Sequence, residues 1–151
     1  MRDGGLSLVC RVLTRLCALP LEHVAETMRP LPVEPLAGVP RPICGVAIIR
    51  RVPVPVVDVA WLLAGKESHA TRFVTVKAGG RRVALMVDAV VGVRALPTDS
   101  LEELPPLLRD ASAEAIATIG SLDAELLVVL RSANLVPEAV WSALESGGVA
   151  P

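Results

Sequence analysis

Short runs of valine, leucine and isoleucine, each ended by a glycine, proline or aspartate, recur along the whole sequence. Runs of this length are typical of strands, and many short strands together predict a sandwich or a barrel. We predict strands at residues 6–14, 17–20, 43–51, 52–57, 72–77, 82–87, 90–96, 115–119 and 125–130. A chain of 151 residues is long enough for one domain with a buried core. The expected fold class is therefore all-β, with residues 1–151 forming a single domain.

Glycines and one helix cap refine this plan. Gly79 and Gly80 separate two apolar runs, and such a pair supplies the positive φ angles of a tight hairpin turn. Asp58 is placed to cap a short helical turn that ends at Gly65. A second short helix is predicted at about residues 137–145, packed as a lid on the strands.

The predicted strands divide into two β-rich halves, at roughly residues 6–65 and 70–131, each long enough for a five-stranded barrel. Residues 98–112 are predicted to be a polar connection with at most one helical turn. The proline-rich residues 29–42 are predicted to form a stiff crossover between strands. Their P-x-x-P spacing also fits a polyproline ligand, and we favour the crossover.

Charge and composition narrow the class of partner. The chain carries 15 basic and 16 acidic residues, so no broad positive field is present to hold a nucleic acid. Its aromatic residues are Trp61, Phe73 and Trp141, which are too few for a base-stacking platform. Hydrophobic residues make up 52% of the chain before its 11 glycines are counted, against about 45–50% with glycine in an average soluble domain. The surplus favours an apolar surface for a protein partner.

The cysteines and the longest apolar stretches indicate the compartment. Cys10, Cys17 and Cys44 form no Cys-x-x-Cys pair, so neither a disulfide framework nor a zinc site is predicted. Arg11 and Arg15 interrupt the only stretch similar to a signal peptide. No run reaches the length of a membrane helix. We expect a cytoplasmic protein without a metal, a cofactor or direct membrane insertion.

The sequence shows no catalytic constellation. His23 and His69 lie far apart without a spaced acidic partner, and Glu102-Glu103 is a pair in a polar segment. Gly65-Lys66 lacks the other residues of a phosphate-binding loop. We therefore predict that the protein is not an enzyme.

Residues 45–59 carry the most informative motif, and they resemble the signature of the CheW family, G-x-x-N-L-R-G-x-x-x-P-V-x-D-L. The identical positions are Gly45, Arg50, Pro55, Val56 and Asp58. The departures are Ile48, where the family usually has asparagine, and Arg51, where it usually has glycine. Residues 17–26 are similar to the family's A-L-P-x-x-x-V-x-E segment, and residues 83–90 to its G-L-x-V-D-x-V strand. The resemblance covers about residues 6–145.

The resemblance implies two SH3-like five-stranded barrels that share a hydrophobic core. It implies a non-catalytic adaptor that couples the cytoplasmic tips of chemoreceptors to a CheA-type histidine kinase. The receptor's helical hairpin is expected in a groove between the barrels, and the kinase's regulatory domain mainly on the first barrel. Recruitment to receptor arrays follows from the same resemblance.

Together, the residues and the resemblance give a set of candidate site residues. The candidates for protein contacts are Val24, Glu26, Gly45, Arg50, Arg51 and Val87, and the candidates for structural roles are Pro55, Asp58, Asp88, Gly79 and Gly80. Arg50 equally suits a scaffold that ties the two halves together by donating to carbonyls or a carboxylate. Val24 and Val87 also suit the core. If the family's glycine at position 51 serves a left-handed backbone, an arginine there costs about 1–2 kcal/mol, and we expect the turn to change shape.

Three alternatives stay open. Ile48 and Arg51 are compatible with a degenerate member that binds receptors but not the kinase. From other classes, a small barrel that binds an oligonucleotide or a saccharide and a hydrolase that uses Cys44 are the remaining candidates.

Overall fold

The computed structural model describes residues 5–39, 41–67, 70–96, 101–103, 116–122, 125–130 and 135–145. The strands of this part are β1 (Leu6–Val12), β2 (Arg15–Pro20), β3 (Val24–Met28), β4 (Ile43–Ile49), β5 (Val52–Asp58), β6 (Arg72–Ala78), β7 (Arg81–Val87), β8 (Ala89–Ala95), β9 (Leu101–Glu103), β10 (Ile116–Leu122) and β11 (Glu125–Leu130). The helices are α1 (Val59–Ala64) and α2 (Glu138–Glu145), and a 3-10 turn (Leu21–His23) joins β2 to β3.

The strands form two sheets. The six-stranded sheet has the order β8-β1-β2-β11-β10-β9, and the five-stranded sheet has the order β3-β6-β7-β5-β4. Two neighbouring pairs are parallel, β2 with β11 and β5 with β7. The predicted division into halves 6–65 and 70–131 is therefore wrong, because the first two strands join the last ones in one sheet. The continuous stretch β3–β7 makes the other sheet.

The six-stranded sheet also departs from the predicted five strands. Its additional edge strand, β9, pairs with β10 and lies in the segment predicted as a polar connection. A three-residue polar strand carries no apolar alternation that a sequence pattern could detect. Very short and charged strands are common at sheet edges, where they limit pairing with other chains.

The hairpin predicted at Gly79 and Gly80 is confirmed. Ala78 pairs with Arg81, so the two glycines alone connect β6 to β7. Gly79 has φ 66°, a left-handed conformation that costs glycine little.

The hydrogen bonding of β4 explains why β5 can contain a buried proline. Pro55 is buried opposite Val46. Both backbone groups of Val46 bond to Glu34 in the preceding crossover, at 2.8 Å each. The position opposite Val46 needs no N–H donor toward β4, so a proline fits there without loss of a ladder bond.

Three apolar clusters fill the interior. The central cluster takes residues from both sheets and from α2, among them Leu8, Cys10, Val74, Leu85, Val128, Val140 and Trp141. A second cluster lies within the five-stranded sheet (Ala47, Ile49, Val54, Val56, Phe73 and Ala84), and a third within the six-stranded sheet (Val9, Leu16, Ala18, Leu96 and Leu127). Alternate residues of one strand enter different clusters, so each sheet is buried on both faces.

Local caps fix the connections between these elements. Asp58 accepts hydrogen bonds from the backbone N–H groups of Ala60 (3.0 Å) and Trp61 (3.4 Å), and Gly65 ends α1 with φ 65°. Both positions were predicted from the sequence. Asp88 accepts a bond from the Leu13 N–H (2.8 Å) and donates its own N–H to the Arg11 carbonyl (2.9 Å). These two bonds tie the β1–β2 turn to the junction between the two sheets.

Candidate functional site

The β4–β5 turn is formed by two arginines alone. Ile49 pairs with Val52, and between them Arg50 and Arg51 have φ angles of 52° and 69°. Two positive φ angles are the requirement of the tight hairpin turn that matches strand twist, where Asn-Gly is preferred. The expectation that Arg51 changes the shape of the turn is therefore wrong. The arginine takes the left-handed conformation because burial of Ile49 fixes the strand register.

Arg50 is held by a bidentate ion pair with Glu26. Its Nε and Nη2 atoms lie 2.8 Å and 2.9 Å from the two carboxylate oxygens. The hydrogen bonds from Arg50 lower the pKa of Glu26 below its usual range and raise the pKa of Arg50. Since β3 and β4 are the two edge strands of the five-stranded sheet, the pair joins opposite edges of one sheet. Arg50 thus ties one barrel closed instead of joining the two predicted halves, and its side chain stays 72% exposed.

Gly45 is buried in β4 and cannot touch a partner in this structure. It has φ 149°, and a Cβ atom added there would lie 2.1 Å from the Glu34 carbonyl oxygen. The glycine allows the crossover to approach β4 closely enough for the backbone bonds between Glu34 and Val46. Its assignment as a contact residue is corrected to a structural one.

Val87 is also corrected. It is fully buried in the central cluster, as are Val83 and Leu85 on the same face of β7. Val24 is half-buried, pairs with Val76 and packs against that cluster. The structure therefore brings Glu26, Arg50 and Arg51 together at one surface, and leaves Val24 beside them on β3.

A cleft of about 560 Å³ opens beside the β4–β5 turn. Its walls come from the β4–β5 hairpin, the start of β7 and α2. The apolar lining residues are Ile49, Val52, Pro53, Val54, Trp141 and Leu144, and the basic ones are Arg50, Arg81 and Arg82. Sequence reasoning missed Arg81, Arg82 and the α2 wall. The only available signal was an arginine pair directly after Gly79 and Gly80.

Arg81 holds α2 in place as a wall of this cleft. Its guanidinium lies 4.8 Å from the centre of the Trp141 ring, and it forms ion pairs with Glu138 (3.2 Å) and Glu145 (2.9 Å). The two carboxylates raise the pKa of Arg81. A cation over a tryptophan face is attracted by the ring quadrupole, so the helix is positioned by charge as well as by apolar burial.

A second exposed apolar surface lies on the other sheet. It consists of Leu6, Val91 and Val93, which are 54%, 42% and 45% exposed, and we name it the β8 patch. Leu6 is on β1, and β8 is an edge strand of the six-stranded sheet. Exposed aliphatic side chains grouped on a sheet mark sites of protein contact more often than single ones do.

The seam between the sheets is occupied by the central cluster. In the part of the chain that the structure describes, this cluster leaves no space for a helix between the two sheets, contrary to the groove prediction.

The described residues offer no catalytic arrangement. Within them, no group of three or more His, Cys, Asp or Glu side chains could hold a metal ion. The Cys44 Sγ atom lies 3.5 Å from the Met86 Sδ atom, and burial raises the pKa of this thiol, which disfavours a nucleophilic thiolate. His69 and the side chains of Glu102 and Glu103 lie outside the described residues. None of the helices that the structure describes is long and apolar enough to cross a membrane.

Two sheets that share a central core define a β-rich domain of two packed barrels. A family model described as the CheW-like domain matches residues 7–140. The chain belongs to the CheW-like domain family, whose general role is that of an adaptor in chemotaxis signalling.

A solved structure supports the fold. The chain is similar to the scaffolding protein CheW from Thermoanaerobacter tengcongensis, with 23% identity, a TM-score of 0.73, and coverage of 85% of this chain and 89% of that chain. No curated protein sequence matches the chain closely enough to serve as a relative. The predicted fold of two SH3-like barrels around a shared core is confirmed.

Proposed function

We propose that this protein is a non-catalytic cytoplasmic adaptor that couples the cytoplasmic tips of chemoreceptors to a CheA-type histidine kinase. The observation that carries the proposal is the presence of two separate exposed surfaces, one on each sheet, in a member of the CheW-like family. An adaptor needs two such surfaces, because both partners must be bound at once.

The β8 patch suits the helical hairpin of a receptor. A helix lays aliphatic side chains three and four residues apart into an apolar surface, and Leu6, Val91 and Val93 provide such a surface. The central cluster fills the space between the sheets, so the helix would rest on this rim without entering the core.

The cleft beside the β4–β5 turn suits the regulatory domain of the kinase. Its lining combines aliphatic residues with arginines whose directions are fixed by ion pairs, Arg50 by Glu26 and Arg81 by the two α2 glutamates. Prearranged charges around an apolar centre give orientation and specificity to a protein interface.

The two surfaces can be tested separately with the full chain. Binding to purified receptor tips and to the kinase regulatory domain is measured for the wild type, Val93→Glu and Val52→Glu. Both valines are exposed, so neither change should unfold the protein. We expect Val93→Glu to lose the receptor and keep the kinase, and Val52→Glu to do the reverse. Each variant is thus the control for the other.

If the wild type binds neither the receptor tips nor the kinase domain, the adaptor proposal is contradicted. Binding to receptor tips without any binding to the kinase would support the degenerate alternative. That alternative is motivated by Ile48 and Arg51, which stand where the family usually has asparagine and glycine.

A further inference from the structure

The β4–β5 turn retains an arginine that its backbone does not need. A glycine at position 51 would adopt φ 69° with little strain, whereas an arginine is strained there. Strained non-glycine residues cluster at sites where the side chain is used, and the inference runs from the outlier to a function. Arg51 is such an outlier, and its side chain is exposed.

Arg51 and Arg82 differ from the other arginines of this region. Arg50 is paired with Glu26, and Arg81 with two glutamates. Among the described residues, Arg51 and Arg82 have no ion-pair partner, and both are exposed. The positive charge of Arg82 also lowers the pKa of Glu26, after the larger effect of Arg50. Arg82 lines the cleft, and Arg51 lies in the chain between Arg50 and Val52, which both line it.

Aliphatic side chains accompany these cations. Val52 directly follows the two-arginine turn, is 55% exposed and lines the cleft. The cleft continues the apolar surface through Pro53 and Leu144. The surface offered to a partner is thus an apolar strip with positive charge at its rim.

We infer that Arg51 and Arg82 select the partner of this cleft, which carries carboxylates opposite the two arginines and an apolar side chain against Val52 and Pro53. The inference rests on the proposed function, with the kinase regulatory domain as the occupant. Charges at the rim of an interface govern the rate of association and its dependence on salt, and they discriminate against partners with the wrong charge.

The test measures the affinity of the full chain for the kinase regulatory domain from the same cell, at low and at moderate salt. The variants are Arg51→Gly, Arg51→Lys and Arg51→Glu. Arg51→Gly removes the charge, and glycine adopts the left-handed turn without strain. A loss of affinity in this variant is therefore due to the side chain and not to a change in the backbone. Arg51→Lys keeps the charge.

We expect the wild-type affinity to fall with salt. Arg51→Gly should bind about fivefold more weakly at low salt, the effect of one exposed ion pair, and should show a shallower salt dependence. Arg51→Lys should keep most of the affinity and the salt dependence, and Arg51→Glu should bind more weakly than Arg51→Gly. Binding to receptor tips should be the same for all four proteins.

Equal kinase affinity and equal salt dependence in Arg51→Gly and the wild type would overturn the inference and leave the adaptor proposal standing. A wild type that binds receptor tips but no kinase domain would overturn both the kinase part of that proposal and the inference. Binding to vesicles that contain an anionic phospholipid, lost in Arg51→Gly, would assign the arginine to a lipid surface and overturn the inference as well.

Discussion

The five-stranded sheet has two hairpin turns of two residues each, and they use opposite residue types. Gly79 and Gly80 connect β6 to β7, whereas Arg50 and Arg51 connect β4 to β5. Both turns contain left-handed backbone, with φ 66° at Gly79 and φ 69° at Arg51. The first turn uses the residue type that the backbone favours. The backbone of the second turn is strained, because both arginines have positive φ angles. This turn presents two exposed guanidinium groups beside the cleft.

A third turn, between β1 and β2, shows how such strain can be offset. Leu13 has φ 57°, and its backbone N–H donates to the Asp88 carboxylate at 2.8 Å. A charge-assisted bond of this kind stabilises an otherwise unfavourable turn. Among the described residues, Arg51 has no comparable bond. The comparison indicates that residue 51 is retained for its side chain and residue 13 for its place in the fold.

The largest expected effect is at Gly45, where positive φ and close packing coincide. Gly45→Ala should lower the free energy of unfolding by about 3 kcal/mol or more, because overpacking adds to backbone strain. Chemical denaturation measures this. The control is Gly38→Ala, which shares a positive φ of 75° but has nothing within 4 Å of the added Cβ, and it should cost about 1 kcal/mol. Equal costs at the two positions would contradict the close approach of Glu34.

Next in size is the bond that supports Leu13. Asp88→Ala removes the acceptor of the Leu13 N–H and should cost about 2 kcal/mol, since a partly buried donor is left without its charged partner. Asp88→Asn keeps an acceptor oxygen and should cost less. If thermal and chemical unfolding show the same stability for both variants, the carboxylate does not offset the strain of this turn.

A smaller effect of opposite sign is expected at Arg51. Arg51→Gly relieves the left-handed strain but adds chain entropy to the unfolded state, so the net gain in stability should be about 0.5–1 kcal/mol. The counterpart, Gly79→Ala, should lose about 1 kcal/mol. A loss of stability in Arg51→Gly would mean that the arginine side chain stabilises the turn, and the contrast between the two hairpins would fail.

The smallest effect concerns pH. Hydrogen bonds from Arg50 lower the pKa of Glu26 in the folded state. The stabilisation from this pair is therefore complete above the ordinary glutamate pKa and is lost as pH falls through the lowered value. The difference in stability between the wild type and Glu26→Gln should shrink over that acidic range. A difference that stays constant down to the lowest pH at which the protein folds would show that the ion pair does not close the barrel.

The sequence was sufficient where the signal is local. Short apolar runs ended by turn residues predicted most strands, the Gly79-Gly80 pair predicted a hairpin, and Asp58 predicted a helix start, because each depends on neighbours in the chain. β3 was absent from the strands inferred from apolar runs, since its sequence Val-Ala-Glu-Thr-Met has few apolar β-formers. The parallel pairs β2–β11 and β5–β7 join distant segments and leave no local signal.

The site was predictable only in part for the same reason. The motif singled out Glu26, Arg50 and Arg51, which the structure places at one surface, but it could not show that the ion pair joins opposite edges of a sheet. Val87 was misassigned because both faces of β7 are buried, so alternation does not separate core from surface there. The wall formed by Arg81 and Trp141 depends on where α2 packs, which is a tertiary contact.

The interleaved order of the strands has a consequence for biosynthesis. The five-stranded sheet is made from one uninterrupted stretch, residues 24–87, which leaves the ribosome long before β11. The β1–β2 hairpin is translated before this stretch, and its parallel neighbour β11 is translated after it. Once residue 87 has left the ribosome, the five-stranded sheet therefore has all of its strands, whereas the β1–β2 hairpin still lacks its parallel neighbour β11.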